Sequence, residues 1–202
     1  EIYEEISKAS QKEATEILQK IYTAPVKENL IGDVIKKIKD SNSRCFASFV
    51  PASTKRFAPV AVEAGCDSIV IQSTVTTARH NSKSLEGLVL SKIVESIKVP
   101  IIVGNTVTYN VSRELMETGI HGILVGVGPG SACTSREVLG VGVPQVSATL
   151  ECSSARDDYF KLTGRYVSII TDGGIRTGGE LCKSFVAGAD AVMIGSPFSK
   201  TF

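Results

Sequence analysis

Apolar residues recur along this chain in two alternating rhythms. Over residues 1–22, Ile2, Ile6, Ala14, Ile17, Leu18, Ile21 and Tyr22 sit among Glu and Lys at spacings of three and four. That pattern predicts one amphipathic helix, ended by Ala24-Pro25. Leu30, Ile31, Val34, Ile35 and Ile38 predict a second helix, stopped near Asp40-Ser-Asn-Ser. Cys45-Phe-Ala-Ser-Phe-Val50 then reads as a strand.

From there a beat sets in. A helix ends at a glycine, one or two small or polar residues follow, and a continuous apolar run begins. The three clearest cases are Ala64-Gly-Cys-Asp-Ser-Ile-Val-Ile71, Thr118-Gly-Ile-His-Gly-Ile-Leu-Val125 and Ala187-Gly-Ala-Asp-Ala-Val-Met-Ile194. Gly65, Gly119 and Gly188 fall where helix C-caps belong. Unbroken apolar runs are expected of strands buried on both faces of a parallel sheet. Val99-Pro-Ile-Ile-Val103 and Tyr166-Val-Ser-Ile-Ile170 add two more.

Six strands are predicted, at 45–50, 68–72, 100–104, 122–127, 167–172 and 191–195. Helices are predicted between them near 55–64, 86–97, 109–118, 145–162 and 178–187. Strict alternation means parallel α/β topology, as a (β/α)8 barrel or a doubly wound sheet. No GxGxxG opens a helix after the first strand, which weighs against a dinucleotide-binding sheet. Polar residues suited to chemistry, Asn105, Cys133, Asp172 and Ser196, each follow a different strand. A barrel gathers all those strand ends on one face. The expected fold is therefore a (β/α)8 TIM barrel, incomplete here, with these six as strands three to eight and the first two upstream of Glu1. The expected organisation is one partial barrel domain over 1–202, with a helical lead-in at 1–40 and strand–helix repeats over 41–202.

Composition changes this picture little. The 202 residues, 43% apolar and 21% charged, suit one domain with a sizeable core. A net charge of +1 gives no support for nucleic acid or an anionic membrane as partner. No run approaches the ~18 apolar residues of a membrane span. The chain opens on Glu1-Ile-Tyr-Glu without methionine and reads as truncated. The five cysteines, at 45, 66, 133, 152 and 182, are scattered without CxxC spacing. They argue against a disulfide framework or zinc site, and for a reducing compartment. His80 and His121 lie in no metal-ligand pattern, and His121, just before a strand, reads as structural.

The stretch Gly126–Gln145, GVGPGSACTSREVLGVGVPQ, is where chemistry concentrates. Gly126, Gly128 and Gly130 directly follow an apolar strand, so bare backbone can approach a ligand closely. Cys133 sits at the loop tip among Ser131, Thr134, Ser135 and Arg136. A free cysteine is often just a small buried hydrophobe. In a Gly/Ser/Thr loop at a strand end it is a candidate nucleophile instead. Asp172-Gly-Gly-Ile-Arg176 and Gly195-Ser196 end the last two strands. Glycine-rich loops at those places bind phosphate in barrels, because exposed N–H groups converge there.

GPGSACTSR followed by GVGVPQ resembles the active-site loop of the IMP dehydrogenase/GMP reductase family, whose usual form is GPGSxCTTR…GVGxPQ. The resemblance covers nearly the whole chain. It implies that Cys133 attacks C2 of a purine nucleotide, IMP or GMP, with Ser135 beside it as a second catalytic residue. It places the nucleotide phosphate on Ser131, Gly174, Gly195 and Ser196, and the ribose hydroxyls on Asp172. Gln72, Ser73 and Asn105 are implied as cofactor-binding, for NAD or NADP. The carbonyls of Gly128, Gly130 and Cys133 are implied as ligands of a monovalent cation, K+. The resemblance further implies a homotetramer of the complete protein, a cytoplasmic or plastid location, a flap and final helix after Phe202, and first strands that supply part of the substrate pocket. The regulatory tandem domain that the family often carries between its second and third barrel strands is not expected here, since residues 1–40 pass straight from helix to barrel. The QSTV and TGRYVSII segments look most like the insert-free relatives found in bacteria and plastid lineages.

The chain departs from the family pattern at three places. Ser135 stands for the second threonine of CTT, keeping the hydroxyl. Gln72 stands where the family has an aspartate that contacts the dinucleotide, so charge is lost there. Position 124, often basic in relatives, is leucine. GVGVPQ and DGGIR favour the dehydrogenase over the reductase, which usually shows GYPQ and DGGC. A GMP reductase and a purine-nucleotide-binding relative without turnover are the alternatives.

Overall fold

A computed structural model describes residues 2–79 and 87–200. Helices α1 (Ile2–Lys8), α2 (Gln11–Tyr22) and α3 (Glu28–Asp40) lead in. The strands are β1 (Phe46–Phe49), β2 (Ser68–Gln72), β3 (Ile101–Thr106), β4 (Gly122–Val125), β5 (Ser168–Asp172) and β6 (Ala191–Met193). Between them run α4 (Pro51–Glu63), α5 (Leu90–Ser96), α6 (Tyr109–Glu117), α7 (Gln145–Thr163) and α8 (Gly178–Val186). All six strands pair in parallel in the order β1-β2-β3-β4-β5-β6. Consecutive parallel strands with helical crossovers are the build of a TIM barrel, present here as an open six-stranded arc.

Burial follows strand alternation. Ile69, Ile71, Ile101, Val103, Ile123, Val125 and Ile169 join Ala58, Leu115, Met116, Ala148 and Cys152 of the helices in one core. The alternate positions Val70, Ile102 and Leu124 form a second cluster, packed by Ile170, on the sheet's other face. Both faces are therefore covered, as the unbroken apolar runs predict. Leu124 is fully buried there, where a basic side chain would bury its charge. A Cβ on Gly104 would fall 2.4 Å from the Leu124 Cβ, so only glycine fits beside that leucine.

The expected single helix over 1–22 is two. Ser10 interrupts it: its hydroxyl accepts the Glu13 N–H while the Glu13 carboxylate accepts the Ser10 N–H. This capping box satisfies two donors that a continuous helix would satisfy otherwise, and it starts α2 afresh. α4 begins at Pro51, four residues before its expected start, because proline suits a first turn whose N–H needs no partner. The helix expected near 86–97 is observed from Leu90; residue 86 and His80 lie outside the described residues.

Gly65, Gly119 and Gly188 take φ of +90°, +96° and +97°, ending α4, α6 and α8 as expected. Two residues after each comes a strand latch. Asp67 donates its N–H to the Cys45 carbonyl (2.8 Å) and accepts the Cys45 N–H on Oδ2 (2.7 Å). Asp190 does the same with Ile169, at 2.8 and 2.7 Å. His121 repeats it with Ile101, at 2.8 Å and, through Nδ1, 3.1 Å. His121 is thus a structural member of a series, as expected of it.

The histidine version is pH-sensitive. Nδ1 can accept only while unprotonated. Burial, then the Arg165 charge, lowers the His121 pKa below its ordinary value. A lowered folded-state pKa means the latch is complete above about pH 6.5 and is lost as pH falls through the depressed value. We expect His121→Asp, which restores a carboxylate acceptor, to flatten the fall in stability of the full-length protein between neutral and mildly acid pH. His121 is exposed, so the gain is at the low end for one hydrogen bond, about 0.5 kcal/mol. Identical urea midpoints for both forms across that range would refute it.

Candidate active site

The loop leaving β4 turns tightly at its tip, where the Cys133 N–H donates to the Gly130 carbonyl at 3.0 Å. The Cys133 thiol is exposed, with Sγ 3.3 Å from Ser135 Oγ. The Ser135 hydroxyl and then its backbone N–H lower the Cys133 pKa; burial opposes them, and the Arg136 charge adds a lesser lowering. Arg136 itself turns away, donating to the Val143 carbonyl at 2.7 Å, and its stem lies over Gly128 and Gly142. Ser135–Leu139 forms a π-helical turn closed by Gly140. Wider i→i+5 turns of this kind occur often at functional sites.

Asp172, the last residue of β5, projects into the same mouth. Its Oδ2 accepts Asn105 Nδ2 at 2.7 Å and Gln72 Nε2 at 3.0 Å. Burial raises its pKa, and the two amides oppose that rise. Asn105 is 6% exposed and lies within β3, not in the turn that its residue type also suits. A bulge between Gly104 and Thr106 shifts the β3–β4 register there, which re-aims a side chain toward the site. The backbone of Asn105 is held on both sides, by Ser73 O (2.9 Å) and Thr76 N (2.8 Å).

Two further loops converge on the loop that carries Cys133. Gly173 and Gly174 have φ of +87° and +78°, and a Cβ on either would fall within 3.1 Å of Pro129. Only glycines let the β5 loop lie this closely on the β4 loop. Ser131 Oγ meets Ser196 Oγ at 2.7 Å, joining the β4 and β6 loops. Gly195 lies beside open space.

Cys133, Ser135, Asp172, Asn105, Gln72 and Ser73, with Gly128 and Gly130, therefore line one cleft of about 370 Å³. Ser131, Ser196, Gly174 and Gly195 lie on the adjoining loops. Among the described residues no group of three His, Cys, Asp or Glu is placed to hold a metal. One structural contributor has only a motif signal in the sequence. Gln145, first residue of α7, donates to the Val125 carbonyl (2.6 Å) and the Asp172 carbonyl (3.3 Å). It clamps the ends of β4 and β5, and the Pro-Gln that closes the loop motif is its only trace.

The comparisons agree with this geometry. Residues 2–202 match the family model described as the IMP dehydrogenase / GMP reductase domain. An uncharacterized oxidoreductase of Mycobacterium tuberculosis is 34% identical over 190 residues, 93% of this chain and 51% of that protein. The inosine-5′-monophosphate dehydrogenase of Cryptosporidium parvum is 43% identical over 144 residues, 71% of this chain and 33% of the relative. The crystal structure of an IMP dehydrogenase/GMP reductase-like protein from Corynebacterium glutamicum superposes with a TM-score of 0.86 at 34% identity, covering 98% of this chain and 52% of that one. The chain thus spans about half the length of the mycobacterial relative and of this solved structure. With strand order, cleft and match in agreement, this chain belongs to the IMP dehydrogenase / GMP reductase family, a family of NAD(P)-dependent oxidoreductases.

Proposed function

We propose that the full-length protein is a purine-nucleotide oxidoreductase of the IMP dehydrogenase type, converting IMP, NAD and water to XMP, NADH and a proton. One observation carries this reading: an exposed thiol of lowered pKa, Cys133, shares a cleft with a half-buried carboxylate, Asp172, beside a three-loop cradle. The Cys133 thiolate supplies the electron pair for a bond to C2 of the purine, and water later cleaves that bond. Ser135 holds the sulfur as thiolate. Ser131, Ser196 and the N–H groups of Gly174 and Gly195 take the phosphate. Asp172 accepts the ribose hydroxyls.

A nicotinamide dinucleotide, when bound, supplies the hydride acceptor. The residues present suit it: Ser73 and Asn105 line the cleft with Gln72, and a second cavity of about 450 Å³ opens beyond Ser73, walled by Pro51, Val75 and Leu88. NADP is the alternative. For K+, the carbonyls of Gly128, Gly130 and Cys133 are the right donor chemistry. That of Gly130 accepts one N–H and keeps a lone pair. The complete protein is expected to be a cytoplasmic homotetramer; no described helix is long and apolar enough to cross a membrane.

The test follows absorbance of the reduced cofactor in the full-length protein, with IMP plus NAD and separately with GMP plus NADPH. A rise with IMP is expected. A fall with GMP would replace this reading with a GMP reductase. Silence in both with nucleotide still bound would mean a binding protein.

A further inference from the structure

Gln72 has an unusual commitment for a residue at the mouth of a cofactor cleft. A carboxamide nitrogen carries two hydrogens. Here Nε2 lies 3.1 Å from Asn105 Oδ1 and 3.0 Å from Asp172 Oδ2, so both are used. The orientation is over-determined. Asp172 as a carboxylate only accepts, which forces the Asn105 amide nitrogen toward it (2.7 Å). That turns Asn105 Oδ1 outward, where it faces Gln72 and needs a donor. Flipping either amide would set oxygen against oxygen. On its other side, Gln72 Oε1 lies 3.5 Å from Ser48 Oγ. The chain Ser48–Gln72–Asn105–Asp172 thus crosses the mouth from β1 to β5.

We infer that Gln72 is a positioning residue for Asp172, fixing one carboxylate oxygen through its amide so that the other, Oδ1, is presented to the ribose of the nucleotide. Oδ1 has no hydrogen bond to any described side chain, while Oδ2 has two. The inference rests on the reading that Asp172 is the ribose acceptor. It also gives the departure from the family pattern a physical meaning. An aspartate at position 72 would be one methylene shorter and would set a second negative charge beside a half-buried carboxylate, raising its pKa further. Glutamine supplies a donor instead, and charge-assisted bonds of this kind are the strong ones. Because both Nε2 hydrogens are spent inward, Gln72 can meet a dinucleotide only as an acceptor, through Oε1.

The test uses the full-length protein and the nucleotide that turns over, IMP or GMP, together with its 2′,3′-dideoxy analogue, which lacks the hydroxyls. Gln72→Met keeps the length of the side chain and removes its hydrogen bonds; Gln72→Glu replaces donor with charge. By calorimetric titration, Gln72→Met should bind the ribonucleotide about tenfold more weakly and the dideoxy analogue within twofold of wild type. Gln72→Glu should widen the same selective loss. Equal losses for both ligands would reduce Gln72 to a structural residue and overturn the inference, as would unchanged affinity for both. If wild type itself fails to prefer the ribonucleotide, the ribose role of Asp172 falls, and the inference with it. Rates of Cys133 alkylation matching wild type in both variants certify that the cleft is intact.

Discussion

Cys133→Ala in the full-length protein lowers kcat by at least about 10⁴-fold, because removal of a covalent nucleophile leaves only binding and orientation to act. The expectation follows from the environment of the thiol. Cys45, Cys66 and Cys152 are buried, and burial pushes their thiols up, Cys152 to about 11. Cys133 is exposed and shifted the other way, first by the Ser135 hydroxyl. Since the thiolate is the reactive form, iodoacetamide at neutral pH should modify Cys133 while those three stay unmodified. Ser135→Ala should slow that labelling several-fold, as a donor to the thiolate is lost. Nucleotide affinity should survive Cys133→Ala, since phosphate and ribose contacts lie on other residues. Turnover at the wild-type rate in that variant would sink the covalent mechanism for dehydrogenase and reductase alike.

The sheet was legible in the sequence because parallel strands buried on both faces leave apolar runs, and at β2, β4 and β6 a glycine C-cap marks where the run begins. The edge strands were less legible. The expected β6 ran to residue 195 and the observed strand stops at Met193, its last ladder partner being Asp172, while the apolar run continues through Ile194. The break between α1 and α2 was present as Ser10-x-x-Glu13, but apolar spacings that continue across it masked the capping box. Cys133, Ser135 and the glycine loops could be named from one motif because a loop that binds a small molecule must keep its residues in fixed sequence spacing. The Gln72–Asn105–Asp172 network has no such trace. Its members come from three strands, and only the barrel's curvature brings residues 100 apart in sequence to 3.0 Å.

Asp172→Asn is expected to separate stability from function. Burial raises the Asp172 pKa in the folded protein, so ionisation there opposes folding. The sign is set by that direction: a carboxyl with raised folded pKa costs stability above that value and relieves it as pH falls. Two amide donors offset part of the cost but do not reverse it. An asparagine of the same shape removes the half-buried charge, so the melting temperature of the full-length protein at neutral pH should be unchanged or higher. Affinity should move the opposite way. Each charge-assisted hydrogen bond to a hydroxyl contributes roughly 1.5–3 kcal/mol, so losing the charge should weaken purine ribonucleotide binding by about 10- to 100-fold. The dideoxy nucleotide should be nearly indifferent to the change. A variant that melts lower and binds both nucleotides equally poorly would make Asp172 a scaffold for Asn105 and Gln72. A stable variant blind to the ribose would make the Asp172 charge the feature that the network exists to hold.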